Sequence, residues 1–331
     1  MSSEELNPGR LLQLSGSYWQ SCTLHAAVKL DLFTKIGKDS LKSNDLAERL
    51  KADKKAAETL LNALVSMGLL VKSNEIYTNT VYSQSFLCKD SEKYIGHIIM
   101  HHHYLVNSWS QLDKAVITGK PVKVVSPENK QEELESFLMG MFNMAMNLAP
   151  GLVEKIDISN RKTLLDLGGG PGTYAIFFCL NNPQLKATVA DFSTTKPFAE
   201  SVIKKFNLSD RIDFKGIDYS VEDIPGSYDV VWLSHIIHQE NPQSAQKLIN
   251  KAVAVLNPGG MIIIHDFILN NTMDGPLFPA IFSLNMLLAT KSGQSYSQEQ
   301  IENMFRSASI KDIKRIPFDS SNDSGIILGV I

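Results

Sequence analysis

One run of glycines and three carboxylates carry the first chemistry legible in this chain. Leu164-Leu165-Asp166-Leu167-Gly168-Gly169-Gly170-Pro171-Gly172-Thr173 reads as a strand entering a tight turn and then a helix. Glycines at such a turn let backbone N–H groups approach a ligand closely. Alone, the turn fits NAD, FAD, a nucleotide or S-adenosylmethionine, and two details separate them. The dinucleotide spacing G-x-G-x-x-G requires glycine at position 173, where Thr173 stands. Asp166, at the end of the strand, sets a like charge against a pyrophosphate but suits a ligand bearing an ammonium and a sulfonium. Asp191 follows Gly168 by 23 residues, where an acid can accept both ribose hydroxyls. Asp218, in Gly216-Ile217-Asp218-Tyr219, can accept from an adenine amino group with Tyr219 against the ring. Turn-shaping glycines and helix-capping acids are the plainer reading. Three acids at successive strand ends, on the edge where open α/β sheets bind ligands, argue against it. The predicted cofactor is S-adenosylmethionine, on Asp166, Gly168, Gly170, Asp191, Asp218 and Tyr219.

The eight histidines are unevenly placed: His97 and His101–His103, then His235, His238 and His265, with His25 apart. His238 lies just past an apolar run, in Ser234-His235-Ile236-Ile237-His238. A neutral imidazole there can take a proton from a phenol or enol as its oxygen attacks a methyl group; the plainer role is capping the next helix. His97 and His101 share a helix face at a spacing that suits a metal. The run is read first as a polar helix face, so no resident metal is expected. An intermediate reading has one or two of His101–His103 binding the acceptor.

The chain is 331 residues long, 44% hydrophobic and 20% charged, with a net charge of −3. That composition excludes disordered, collagenous and coiled-coil classes. It offers no basic surplus for a polyanion, so no nucleic-acid partner is expected. Three scattered cysteines, Cys22, Cys88 and Cys179, make neither a disulfide framework nor a zinc ribbon. Residues 1–10 lack the apolar core of a signal peptide, and apolar runs such as 276–288 fall short of a membrane span. The expectation is a cytoplasmic protein with no membrane partner.

Two textures divide the elements that must position these residues. Residues 1–100 read as helices with a small wing. One apolar helical face runs from Leu24 to Phe33, Ser43 precedes a short helix, and Asp53 can cap another that ends at Gly68. Leu69–Val71 and Glu75–Thr78 read as wing strands, which makes a winged-helix unit. Its only cluster of charge suited to phosphates is Lys51, Lys54 and Lys55, too thin a footprint to favour DNA over dimerisation. Leu11, Leu12, Leu14, Tyr18, Trp19 and Leu24 exceed what so small a unit can bury, and a symmetric homodimer would cover them. Residues 101–331 form the second domain, opening with a helical linker over about 101–156 punctuated by Pro121, Pro127 and Pro150. Apolar runs then alternate with helical stretches at 163–168, 187–191, 212–216, 228–234 and 261–266. That pattern predicts a parallel sheet with crossover helices. The runs 310–318 and 325–331 are joined by so short a link that they must form an antiparallel hairpin. Seven strands ending in a hairpin differ from the six-stranded dinucleotide fold, so the class is α/β with a seven-stranded Rossmann-like domain behind a winged-helix domain.

With these residues in view, the chain resembles the small-molecule O-methyltransferases typified by the caffeic acid, acetylserotonin and hydroxyneurosporene enzymes. The resemblance covers nearly the whole length and rests on Asp166–Gly172, Asp191, Gly216–Asp218, His238 and Asn257-Pro258-Gly259-Gly260. It implies an S-adenosylmethionine-dependent enzyme methylating a hydroxyl of a small aromatic or polycyclic acceptor. By resemblance, the acid matching Asp191 binds the ribose, and Asp218 with Tyr219 flanks the adenine. The family's cofactor-touching lysine falls at Ser234, which weakens or removes that contact. His238 matches the general base and Asp266 the acid that orients it, one methylene shorter than the usual glutamate. The family's second acid falls at Ser295, and Gln239-Glu240 replace the usual Asp-Trp. Counterparts of His101, Phe137, Met141, Asn285 and Met286 contact the acceptor or the methionine tail, and the helix near Tyr18–His25 reaches toward the partner's site. Two other functions stay open: methylation of carbon or sulfur, for example on a tetrapyrrole or thiol, and a winged-helix regulator that binds cofactor or metabolite without turnover.

Overall fold

The computed structural model describes residues 7–122, 130–320 and 322–331. Two compact units result: residues 1–105 with 128–143, and residues 106–127 with 144–331. The stretch expected as a linker is thereby shared, 128–143 going with the first unit and the remainder with the second.

In the first unit Asp53 caps the helix Lys54–Ser66, its carboxylate accepting from the Ala56 N–H at 2.9 Å. Strands β1 (Leu41–Lys42), β2 (Leu70–Ser73) and β3 (Ile76–Asn79) pair antiparallel in the order β1-β3-β2. Phe33, Leu46, Leu61, Leu64 and Tyr77 fill the space between helices and wing. Two local expectations fail. The apolar face from Leu24 to Phe33 is split into helices Tyr18–Lys29 and Leu32–Ile36, because Asp31 takes a left-handed conformation at φ 57°. Ser43 is the first residue of its helix rather than the cap, which is Lys42 and makes no side-chain bond.

Leu11, Leu12, Leu14, Tyr18 and Trp19 are 60–70% exposed in the single chain. At about 25 cal/mol per Å², apolar faces of this kind drive association when a matching face is available. Light scattering at micromolar concentration should therefore give twice the 36.7 kDa chain mass, and a persistent monomer would defeat the idea. The helix Lys130–Val153 contains Glu133–Val153, the one segment among the described residues long and apolar enough to cross a membrane. Run length alone does not reveal it, since polar residues such as Ser136, Asn143 and Asn147 interrupt the apolar positions. Gly140 lets it approach the helix Gly96–Trp109 so closely that a Cβ would lie 3.1 Å from Ile98 Cα. Pro150 lies inside this helix and does not end it. In the final turn a missing N–H removes only one bond. Pro127 lies outside the described residues.

The second unit is a seven-stranded sheet in the order β6-β5-β4-β7-β8-β10-β9. The strands are β4 (Thr163–Leu167), β5 (Lys186–Asp191), β6 (Ile212–Gly216), β7 (Tyr228–Ser234), β8 (Leu256–Phe267), β9 (Lys311–Ile316) and β10 (Ser324–Val330). The first five are parallel, and β10 pairs antiparallel with both β8 and β9. β8 begins at Leu256, five residues before the apolar run that marks it, and Asn257-Pro258-Gly259-Gly260 forms an irregularity within the strand, where Gly259 is left-handed at φ 73° and the register against β7 shifts. Helices cover both faces of a parallel sheet, which is why β4 and β7 are almost wholly buried. This topology puts the ends of β4, β5, β6, β7 and β8 on one edge, with order reversing between β4 and β7. The crevice at that reversal is where such sheets take ligands.

Candidate active site

The glycine turn is built on left-handed backbone. Gly168, Gly170 and Gly172 have φ of 68°, 51° and 75°, a region that other residues enter at a cost. A Cβ on Gly168 would fall 2.1 Å from Ile236 Cδ1. The turn is tied to β5 twice: the Gly168 N–H donates to Ala190 O at 2.7 Å, and the Gly170 N–H to Asp191 Oδ2 at 2.7 Å. Asp191 Oδ1 accepts from the Phe192 N–H at 2.6 Å. Burial raises the Asp191 pKa, while the Gly170 and Phe192 N–H groups work against that rise.

Asp166, expected to face the cofactor, lies against Gly169 of the turn. It is fully buried, with Oδ2 accepting from the Ala175 N–H at 3.3 Å and Oδ1 unpaired among the described residues. Burial pushes its pKa up to about 7, opposed by the Ala175 N–H and reinforced by Asp191. A raised carboxyl pKa means that the folded protein holds the proton more tightly than the unfolded chain. Its stabilising effect is complete below the unfolded value near 3.8 and is lost as pH rises through about 7. Asp166→Asn keeps an acceptor for Ala175 without the charge. It should stabilise the cofactor-free protein at pH 8 by on the order of 2–4 kcal/mol, with a smaller gain at pH 5. Denaturant titrations at both pH values check this; an equal gain at each would remove the charge argument.

Asp218 is partly engaged in its own turn, where it accepts from the Ser220 N–H at 3.0 Å. Tyr219 is buried, its ring 5.5 Å from that of Phe192, which is 45% exposed. Phe192 escaped the sequence reading, although an aromatic directly after the ribose acid is a usable signal for a ring stacked on a base. Ser234 is turned into the sheet: its Oγ lies 2.9 Å from His265 Nδ1, and His265 Nε2 lies 2.9 Å from Ser324 Oγ. Burial, then His235, holds the His265 pKa well below the usual imidazole value, so this link is neutral.

At the ends of β7 and β8, His238 Nδ1 and Asp266 Oδ1 are 2.7 Å apart, and both residues are buried. The Phe267 N–H also donates to Asp266 Oδ1, at 2.8 Å. Burial alone would raise the Asp266 pKa. The neighbouring His238 and His235 outweigh it and hold the carboxyl well below the usual range. The Gln294 N–H donates to His238 O at 2.9 Å, so the 292–295 segment steadies the histidine through backbone. Ser295, at the family's second acid, instead donates its hydroxyl to Pro279 O at 3.0 Å and supports the helix Leu277–Ala289. That helix presents Phe278 and Phe282 four residues apart. The Phe282 ring is 4.9 Å from His238 and 4.4 Å from Phe267, and Phe278 is 5.0 Å from Phe267. This aromatic wall was missed because an i, i+4 pair in an apolar helix reads as core.

Of the expected acceptor contacts on the same helix, Asn285 accepts from Trp109 Nε1 at 3.2 Å and Met286 is buried. Within the first unit the His101 ring lies 5.3 Å from that of Phe137, and Met141 is half-buried one turn further on.

A seven-stranded, mostly parallel sheet with a glycine turn, an acid on the next strand and a His–Asp pair two strands away defines the methyltransferase class. The chain belongs to the O-methyltransferase domain family, whose profile matches residues 116–311, and the O-methyltransferase dimerisation domain matches residues 12–89. It is an S-adenosylmethionine-dependent O-methyltransferase. It is 29% identical to 3-hydroxy-5-methyl-1-naphthoate 3-O-methyltransferase of Streptomyces sahachiroi, across 98% of this chain and 95% of that one. It is 28% identical to the tetracenomycin polyketide synthesis 8-O-methyl transferase TcmO of Streptomyces glaucescens, across 93% and 92% of the two chains. An O-methyltransferase family protein from Burkholderia thailandensis superimposes with a TM-score of 0.87 at 25% identity, covering 98% of both chains.

Proposed function

We propose that this enzyme methylates a hydroxyl group on a small, fused-ring aromatic acceptor, acts in the cytoplasm as a homodimer joined through residues 1–100, and uses His238 as general base. The observation that carries the reading is the buried His238–Asp266 pair at 2.7 Å beside Phe267, Phe278 and Phe282. Flat aromatic rings pack well against such a wall. The naphthoate acceptor of the Streptomyces sahachiroi relative is of the same kind.

The residues present fit the cofactor. A Cβ on Gly170 would project beside Asp191 Oδ2 into space otherwise open to a ligand, and Asp166 Oδ1 is a buried acceptor without a partner among the described residues. Asp191 is assigned to the ribose, and Phe192, Asp218 and Tyr219 to the adenine. Ser234 takes no part in this reading, because its hydroxyl pairs with His265. His101, Phe137, Met141, Asn285 and Met286 are kept as acceptor-side contacts on the family resemblance alone. When bound, S-adenosylmethionine supplies an electrophilic methyl group on a sulfonium. Asp266 accepts from the Nδ1–H of His238, which leaves the lone pair on Nε2. Nε2 takes the hydroxyl proton as the acceptor oxygen attacks, and Asp266 stabilises the imidazolium that results.

The test is methyl transfer to a panel of hydroxynaphthoates and simple phenols, with the methylated atom located by NMR. An O-methyl product with fused-ring acceptors preferred is the expected result. A C- or S-methyl product would overturn the reading.

A further inference from the structure

We propose that His235, His238 and Asp266 form a site for one divalent transition-metal ion of the zinc type, and that its occupancy excludes base catalysis at His238. The three residues offer two imidazole nitrogens and a carboxylate oxygen, all within 4.8 Å of one another. Nδ1 of His238 and Nδ1 of His235 lie 2.7 and 3.7 Å from the same atom, Asp266 Oδ1. Two features set this group apart from an ordinary His–Asp pair. His235 Nδ1 and Asp266 Oδ2 are both buried and make no hydrogen bond among the described residues. Unpaired buried polar atoms are rare, and each calls for a reason. His235 also sits at φ 56°, a left-handed conformation, with its N–H donating to His265 O at 2.8 Å. Its surroundings therefore hold it in a sparsely populated conformation beside Asp266.

Two neutral imidazoles and one carboxylate are a donor set suited to zinc and its neighbours, with bonds of about 2.0–2.2 Å. Donors around a tetrahedral ion with such bonds lie about 3.3 Å apart. The separations of 2.7 and 3.7 Å from Asp266 Oδ1 fall on either side of that value, and all three donors lie within 4.8 Å of one another, so side-chain rotation has to bring them onto one ion. The His235 side chain is 21% exposed although its Nδ1 is buried, so an ion reaches the donors by rotation of this ring. On its other side the Phe267 ring lies 4.4 Å away and closes the site.

The consequence for catalysis follows from the two nitrogens of one ring. Without metal, Nδ1–H of His238 points to Asp266 and Nε2 carries the lone pair. A metal on Nδ1 moves that proton to Nε2, which then donates and no longer accepts. No bond to the acceptor is made or broken by the ion, which acts by blocking. Only this consequence rests on the base reading; the ion site stands on the geometry.

Calorimetry with zinc chloride, and metal analysis after dialysis, test the site on the full chain. Wild type should bind about one zinc per chain. His235→Asn, whose side chain tolerates a left-handed backbone, should weaken zinc binding about tenfold or more. The variant should keep its thermal midpoint and its affinity for S-adenosylmethionine, and its turnover should resist zinc concentrations that stop the wild type. Absence of stoichiometric zinc in the wild type, or equal zinc affinity in His235→Asn, overturns the proposal. So does loss of the zinc on His97→Ala, which would move the ion to the helical histidines. Zinc stoichiometry is read without turnover, so failure of the base assignment leaves this result interpretable.

Discussion

His238→Gln should lower turnover of a hydroxyl acceptor by about 10²–10⁴-fold, the usual worth of a positioned general base, and leave cofactor affinity unchanged. Glutamine keeps a polar side chain of similar reach but offers no nitrogen lone pair. His238 is buried, with its backbone held by Gln294 and its ring by Asp266, so the substitution acts on chemistry more than on placement. Asp266→Asn should cost less, since an amide can still accept from Nδ1–H but stabilises the imidazolium poorly. Single-turnover rates and calorimetric cofactor titrations on both variants separate the roles. Near wild-type turnover in His238→Gln would mean that the acceptor reaches the methyl group already ionised or by another route.

The second large effect lies on the cofactor side. Asp191→Ala should weaken S-adenosylmethionine binding by roughly 30- to 1000-fold, the equivalent of about 2–4 kcal/mol for a lost buried acceptor. Part of that loss is indirect. Asp191 accepts from the Gly170 and Phe192 N–H groups, so its removal also loosens the turn that cradles the ligand. Asp191→Asn restores one acceptor and should recover part of the affinity. Unchanged affinity in Asp191→Ala would remove the ribose assignment.

The catalytic sheet is readable in the sequence because parallel strands buried on both faces appear as unbroken apolar runs. Tyr228–Ser234, buried along nearly its whole length, has the same bounds in the sequence and in the structure; so does Ile212–Gly216, although that edge strand carries Asp213 and Lys215 and is mostly exposed. The terminal hairpin was forced by the shortness of its link. Features set by tertiary surroundings were not readable. Nothing local marks the break at Asp31, whose left-handed backbone divides one apolar face into two helices. The full burial of Asp166 depends on how the helix Thr173–Asn181 closes over it. His235 was visible only as one of three histidines near the strand ends. Its partnership with Asp266 arises because β7 and β8 are adjacent in the sheet, which spacing along the chain does not disclose.

Ile236 lies between His235 and His238 in the chain, and its side chain occupies the space that a Cβ on Gly168 would need. The turn assigned to the methyl donor and the segment bearing the base are thus in direct van der Waals registry, with no intervening loop. The aromatic wall, by contrast, comes from the helix Leu277–Ala289, a separate element later in the chain. Lineages built on this plan can redraw that helix to admit a new acceptor while the donor-to-base geometry is inherited intact. One tight glycine contact would then conserve the reaction while leaving its substrate free to diverge.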